Sequence, residues 1–133
     1  MTITQGINHL GLSVFDLDKS VEFFVNLLGW VESGRDENYP RSAVSDGEVR
    51  LTLWQVDHEK PIIRFNRHHN IGLHHLALSI SSEAGLDQLA NKLKASGIEI
   101  EFMPELVGNG PRKHMICYEP GGNRIEFIWS GVD

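Results

Sequence analysis

Leu73-His74-His75-Leu76-Ala77-Leu78-Ser79-Ile80 is the stretch that decides the fold. From His75 onward it alternates as a strand does, with Leu76, Leu78 and Ile80 on one face and His75, Ala77 and Ser79 on the other. The branched face is built for packing. The opposite face carries an imidazole followed by two small residues, which leaves room in front of the ring. Sixty-six positions upstream the chain reads His9-Leu10-Gly11-Leu12-Ser13-Val14, and all six positions keep their chemical type. A repeat at this spacing predicts two modules, each opening with a strand that presents a histidine.

Each module continues in the same order. In the first, Asp16 to Ser20 offers helix caps, Val21, Phe24, Val25 and Leu28 recur at helical spacing, and Gly29 supplies the stop. A strand is expected from Trp30-Val31, a polar loop over 33–42, and two strands near 42–45 and 49–54 around the turn Asp46-Gly47. In the second, Leu86, Leu89, Ala90 and Leu93 form the helix stripe, stopped by Gly97. Strands are expected at 98–102, 113–118 and 124–129, with a loop over 104–111 and a tight turn at Glu119-Pro120-Gly121-Gly122-Asn123. The expected fold is α+β: two strand-helix-three-strand modules in tandem, at about 5–56 and 72–130, with a charged connector at 57–71, all in one domain spanning 1–133. The helices cover the apolar strand faces, leaving both histidine faces on the other side of their sheets.

The totals narrow the function classes. The 133 residues are 41% hydrophobic and 23% charged, as in ordinary globular domains. A net charge of −6 disfavours nucleic acid and anionic membrane as partners. The N-terminal residues have no basic start followed by an apolar run, and no stretch approaches the roughly 20 apolar residues of a membrane span. The lone Cys117 excludes an internal disulfide. The cytoplasm is the expected compartment.

Glu126 alternates with Ile125, Phe127 and Trp129 in the last strand, so it falls on the His75 side of its sheet. A carboxylate facing a sheet interior is costly unless paired or metal-bound. Two strand histidines and one carboxylate make a facial triad that leaves coordination positions open. His9, His75 and Glu126 are therefore the expected ligands of one divalent metal. Such a metal acts as a Lewis acid on a substrate chelating through two oxygens.

The paired His-Leu-Gly/Ala-Leu-Ser motifs and the ending Glu119-Pro120-Gly121-Gly122-Asn123-Arg124-Ile125-Glu126-Phe127 resemble the vicinal-oxygen-chelate superfamily. That group holds glyoxalases, extradiol dioxygenases, fosfomycin-resistance proteins, methylmalonyl-CoA epimerases and bleomycin-binding proteins. The resemblance covers residues 3 to 130 and implies sheets curled round a metal cavity, commonly completed in a homodimer. It implies Fe²⁺, Mn²⁺, Zn²⁺ or Ni²⁺ at His9, His75 and Glu126. It also implies a fourth ligand, Glu or Gln, on the last strand of the first module. Here that strand offers Arg50, Thr52 and Trp54 instead, and neither guanidinium nor neutral hydroxyl is a suitable ligand. Glu48 and Gln55 would need a bulge to reach the site. Arg50, Thr52 and Trp54 are expected to face the substrate, with Arg50 favouring an anionic one.

His114 and Tyr118 share a face and are the candidate catalytic acid/base or oxygen-positioning groups. His68 and His69 are expected at the surface, His74 on the helix side, and Cys117 in the core. The expected function is a metal-dependent enzyme on a small substrate with vicinal oxygens, by dioxygenase or fosfomycin-type addition chemistry. The alternatives are a glyoxalase-like lyase or isomerase, and a metal-free resistance protein that only binds.

Overall fold

A computed structural model describes all 133 residues. They form two compact units, Met1–Ile62 and Ile63–Asp133, that meet inside the expected connector. In the first unit β1 (Leu10–Val14), α1 (Leu17–Glu22), β2 (Val31–Asp36), β3 (Arg41–Ser45) and β4 (Arg50–Gln55) give a four-stranded sheet of order β1-β4-β3-β2. In the second, β5 (Leu76–Ile80), α2 (Glu83–Ala95), β6 (Glu99–Leu106), β7 (Lys113–Tyr118) and β8 (Arg124–Trp129) give β5-β8-β7-β6. The first and last strand of each unit pair in parallel and the other pairs are antiparallel. The fold is the expected α+β pair of mixed-sheet modules. No helix is long and apolar enough to cross a membrane.

The helices sit where the strand alternation demands. In unit 2, α2 is capped by Ser82, whose hydroxyl accepts from Gly85 N at 3.0 Å. Its Leu86, Ala90 and Leu93 are fully buried with Met115, Ile125 and Phe127 of the sheet. Burying a side chain the size of Phe127 contributes about 2–3 kcal/mol. Leu12, Val14, Val44, Leu51 and Leu53 are the corresponding buried strand residues of unit 1.

Three local expectations shift. α1 does not run regularly to Leu28: it widens into a π-helical turn over Phe23–Leu27, with Leu28 N bonded to Phe23 O at 3.2 Å. The extra residue per turn brings both Phe23 and Phe24 into the core, at 1% and 0% exposure. Simple helical spacing selects only Phe24. The expected loops at 33–42 and 104–111 are shorter, because β2 extends to Asp36 and β6 to Leu106, each across a register shift. Polar residues at a sheet edge read as loop from sequence, although their backbone pairs.

Candidate metal-binding and substrate site

The turn between β7 and β8 fixes the site of unit 2. The Glu119 carboxylate is 1% exposed, and it accepts from Gly121 N at 2.7 Å, from Asn123 N at 3.1 Å and from Asn123 Nδ2 at 2.9 Å. Gly122 takes φ +101°, a conformation that side chains with a Cβ rarely adopt. The turn thereby sets the register that pairs Ile116 with Glu126, Tyr118 with Arg124 and His114 with Ile128. On the other flank of β8, Ala77 pairs with Glu126. His75, Glu126 and His114 thus share one face, away from α2.

Their side chains meet. His75 Nε2 is 3.1 Å from Glu126 Oε2, and His114 Nδ1 is 2.9 Å from Glu126 Oε1. The carboxylate is 11% exposed and has one imidazole on each oxygen. Within unit 2 no third His, Cys, Asp or Glu completes a metal-binding group with His75 and Glu126.

The hydrogen-bond directions bear on whether this pair suits a metal. Arg124 Nη1 lies 3.3 Å from His74 Nδ1, and a guanidinium only donates, so His74 Nδ1 accepts. Partial desolvation, and then the Arg124 charge, lower the His74 pKa, which keeps that ring neutral at pH 7. His74 Nδ1 is also 2.8 Å from His75 Nδ1, so the proton of that contact belongs to His75. A neutral His75 then turns the lone pair of Nε2 toward a carboxylate oxygen. Two electron-pair donors at 3.1 Å repel unless a cation, a proton or a metal, lies between them. Two ligands each about 2.1 Å from one ion and at right angles also stand about 3 Å apart. His75 and Glu126 therefore fit a divalent metal, with His74 orienting the imidazole from behind and His114 holding the carboxylate.

His74 is a correction. It lies before β5 begins at Leu76, so strand alternation does not govern it. It joins His75 and Arg124, not the helix side.

Tyr118 stands apart from His114. Four residues along a strand is about 13 Å, and the Tyr118 hydroxyl donates to Glu101 Oε1 at 2.6 Å. Arg124 grips the same carboxylate through Nε at 2.9 Å and Nη2 at 2.6 Å, and Arg67 Nη1 reaches it at 3.3 Å. The hydrogen bond from Arg124 pulls the Glu101 carboxyl down to about 2, against its burial, with further help from Tyr118 and Arg67. Arg67, Glu101 and Arg124 were not legible as site residues: one lies in the connector, one on an edge strand. Arg124 shares a parity with Glu126, which is the one signal that pointed to it.

In unit 1, Leu10 pairs with Leu51 and Gly11 with Thr52, in the same parallel register as Leu76 with Ile125 and Ala77 with Glu126. The counterpart of Glu126 is therefore Thr52, and that of Arg124 is Arg50. The Thr52 hydroxyl accepts from Trp54 Nε1 at 3.0 Å, and a Cβ on Gly11 would come within 3.3 Å of it. Trp54 stacks edge-on with Tyr39 and lies 5.5 Å beneath the Arg41 guanidinium. Arg50 is exposed and forms no ion pair. Gln55 is spoken for, since its Oε1 accepts from Leu17 N at 3.0 Å at the start of α1. No bulge interrupts the β1–β4 register to bring Glu48 or Gln55 onto the Thr52 face. His9 is exposed, with Nδ1 2.8 Å from Asn8 Oδ1, which leaves its Nε2 free for a ligand role.

Residues 6–127 match the Glyoxalase/Bleomycin resistance protein/Dioxygenase superfamily. The chain belongs to that superfamily. It is 27% identical over 128 residues to the uncharacterized protein YqjT of Bacillus subtilis (strain 168), covering 92% of this chain and 97% of that one. Among solved structures it resembles the glyoxylase/bleomycin resistance protein/dioxygenase domain from Frankia sp. EAN1pec, with TM-score 0.80 and 23% identity over 96% of this chain and 93% of the other. It also resembles the fosfomycin resistance protein FosX of Listeria monocytogenes, with TM-score 0.73 and 20% identity over 96% and 94%. At those identities the two structures speak to the fold alone.

Cys117 lies in the core beneath α2, where burial and then the nearby Glu119 charge push its thiol up to about 12. A protonated, enclosed thiol is a poor nucleophile. A thiol-exchange reagent is expected to leave Cys117 unmodified in the native protein and to label it fully in denaturant. Rapid labelling without denaturant would refute the buried assignment.

Proposed function

We propose that this chain is a divalent-metal-dependent enzyme acting on a small anionic substrate with adjacent oxygens. His9, His75 and Glu126 hold the ion, which is Fe²⁺, Mn²⁺, Zn²⁺ or Ni²⁺. The observation that carries this reading is His75 Nε2 facing a Glu126 carboxylate oxygen at 3.1 Å. When bound, the metal supplies Lewis-acid polarisation of two chelating oxygens. His74 and Arg124 keep the proton of His75 on Nδ1, and His114 holds Glu126 Oε1 so that Oε2 is presented to the ion. His114 is also placed to accept or return a proton at the carboxylate, and Tyr118 positions the anionic end of the substrate. Arg50, Thr52 and Trp54 are the proposed substrate-recognition residues of unit 1, and the protein works as a homodimer.

The unit 1 register supports a reaction class. Thr52 stands at the counterpart of Glu126, so unit 1 offers no carboxylate there to bind the ion or take a proton. Three ligands and no second carboxylate favour dioxygenase or fosfomycin-type addition chemistry over proton-shuttling isomerisation. The native protein, reconstituted in turn with Fe²⁺, Mn²⁺, Zn²⁺ and Ni²⁺, is expected to leave the hemithioacetal of methylglyoxal and glutathione unconverted. Oxygen uptake with catechols, or consumption of an epoxide phosphonate, is the expected positive. Robust hemithioacetal isomerisation would overturn the reaction class. Tight small-molecule binding without any bound metal would overturn the enzyme reading in favour of a binding protein.

A further inference from the structure

A second feature of unit 2 extends this reading to the other end of the substrate. Phe65, Asn66, Arg67, His68, Tyr118 and Arg124 line a hollow of about 130 Å³. Its charges do not cancel. Arg67 and Arg124 together face a single carboxylate, Glu101, which the Arg124 hydrogen bonds keep ionised. Each of the three Arg124 nitrogens already has a partner, Glu101 or His74. Arg67 has two nitrogens without one. Both of its contacts, to Tyr118 Oη at 3.4 Å and to Glu101 Oε1 at 3.3 Å, come from Nη1. Its Nε and Nη2 have no protein partner, and together they form the guanidinium edge that binds an oxyanion through two parallel hydrogen bonds. Phe65 supplies an apolar wall and His68 a further donor at the rim.

We propose that this hollow is an oxyanion subsite, in which Arg67 takes the carboxylate or phosphonate group of the substrate. The identification of the bound molecule as substrate rests on the metal-enzyme reading above; the anion site itself does not. A relay of contacts joins the hollow's wall to the metal-ligand pair, since Arg124 contacts His74 and His74 contacts His75. Arg124 and Glu126 are two residues apart on one strand face, about 7 Å. The substrate's anionic group is thus bound toward the Arg124 end of this face, and its chelating oxygens toward the Glu126 end. Arg67 is then the specificity-determining residue, selecting compact organic anions over neutral diols or ketones of the same size.

The test uses the full chain stripped of metal with a chelator, at low ionic strength. Methylphosphonate, acetate and inorganic phosphate are titrated by calorimetry and by amide chemical shifts, with native protein, Arg67→Ala, Arg67→Lys, Arg50→Ala and Arg112→Ala. One saturable site is expected, with shifts centred on Asn66, His68 and Tyr118. Arg67→Ala should weaken it about tenfold or more, Arg67→Lys should retain part of the affinity, and Arg112→Ala should match native. Melting curves check that each variant is folded. Absence of saturable binding overturns the subsite. So does native-like binding in a folded Arg67→Ala protein, including the case where Arg50→Ala alone loses it. Because no metal is present, failure of the metal-enzyme reading leaves all of these readouts unchanged, and the two ideas fail separately.

Discussion

Replacing Glu126 by alanine is expected to lower divalent-metal affinity by about a hundredfold or more, the largest single effect available in this chain. Loss of a residue that merely supports a ligand costs about 10–100-fold, and Glu126 is proposed as the ligand itself. The effect also reads out as stability, because an ion that binds only the folded state stabilises it by mass action. At a thousandfold excess over its dissociation constant that contribution is about 4 kcal/mol. For a chain of this size it corresponds to a rise in melting temperature of roughly 15 °C. Native protein should show that rise on metal addition, and Glu126→Ala should not. Glu126→Gln separates charge from shape: it keeps the volume between His75 and His114 but offers only a weak neutral oxygen, so it should fold and still fail to bind. An equal melting shift in all three proteins would remove Glu126 from the metal site and leave it as a simple ion-pair partner of two histidines.

The sequence carried the repeat more clearly than the site. Strict alternation in 75–80, 113–118 and 124–129 left only one way to place α2, because Leu76, Leu78, Ile125 and Phe127 needed a cover and Leu86, Ala90 and Leu93 supplied it. The same alternation put Glu126 with His75, since two adjacent parallel strands share parity once the register is known. What alternation does not report is the state of a residue just outside a strand. His74 was misplaced for that reason, and its contact with Arg124 decides which nitrogen of His75 holds the proton. The π-helical turn escaped because a regular 3.6-residue stripe through Val21, Phe24, Val25 and Leu28 leaves Phe23 outside it, whereas the widened turn buries Phe23 as well. Arg67 escaped for a different reason: a connector residue acquires a role only through what folds against it, here an edge-strand carboxylate 34 positions later. Chemistry assembled by such distant pairs leaves no local pattern to read.

The cluster that shapes the oxyanion hollow also predicts how the fold responds to acid. Glu101 is 21% exposed and Arg124 8%, and their bidentate contact holds the Glu101 carboxyl near a pKa of about 2. In the unfolded chain that group titrates near its ordinary value of about 4.3. A carboxyl whose folded pKa is depressed stabilises the fold fully above the unfolded value. That contribution disappears as pH falls through the folded value, because protonation then costs the folded state its ion pair. The window therefore runs from about pH 4.5 down to about pH 2. Arg124→Ala leaves a half-buried carboxylate with only Tyr118 and the weaker Arg67 contact. Breaking a fully buried pair costs about 3–5 kcal/mol; with Glu101 partly solvated, a loss of about 2–3 kcal/mol at pH 7 is expected. The gap between native and variant should narrow steadily across the window and close near its lower end. Glu101→Gln should flatten the same part of the native pH profile while keeping the Tyr118 and Arg124 side chains in contact with a neutral partner. Urea midpoints at pH 7, 4 and 2.5 measure all three proteins on one scale. A native–variant difference that stays constant from pH 7 to 2.5 would mean that Arg124 stabilises this sheet through packing, with the charge of Glu101 contributing nothing.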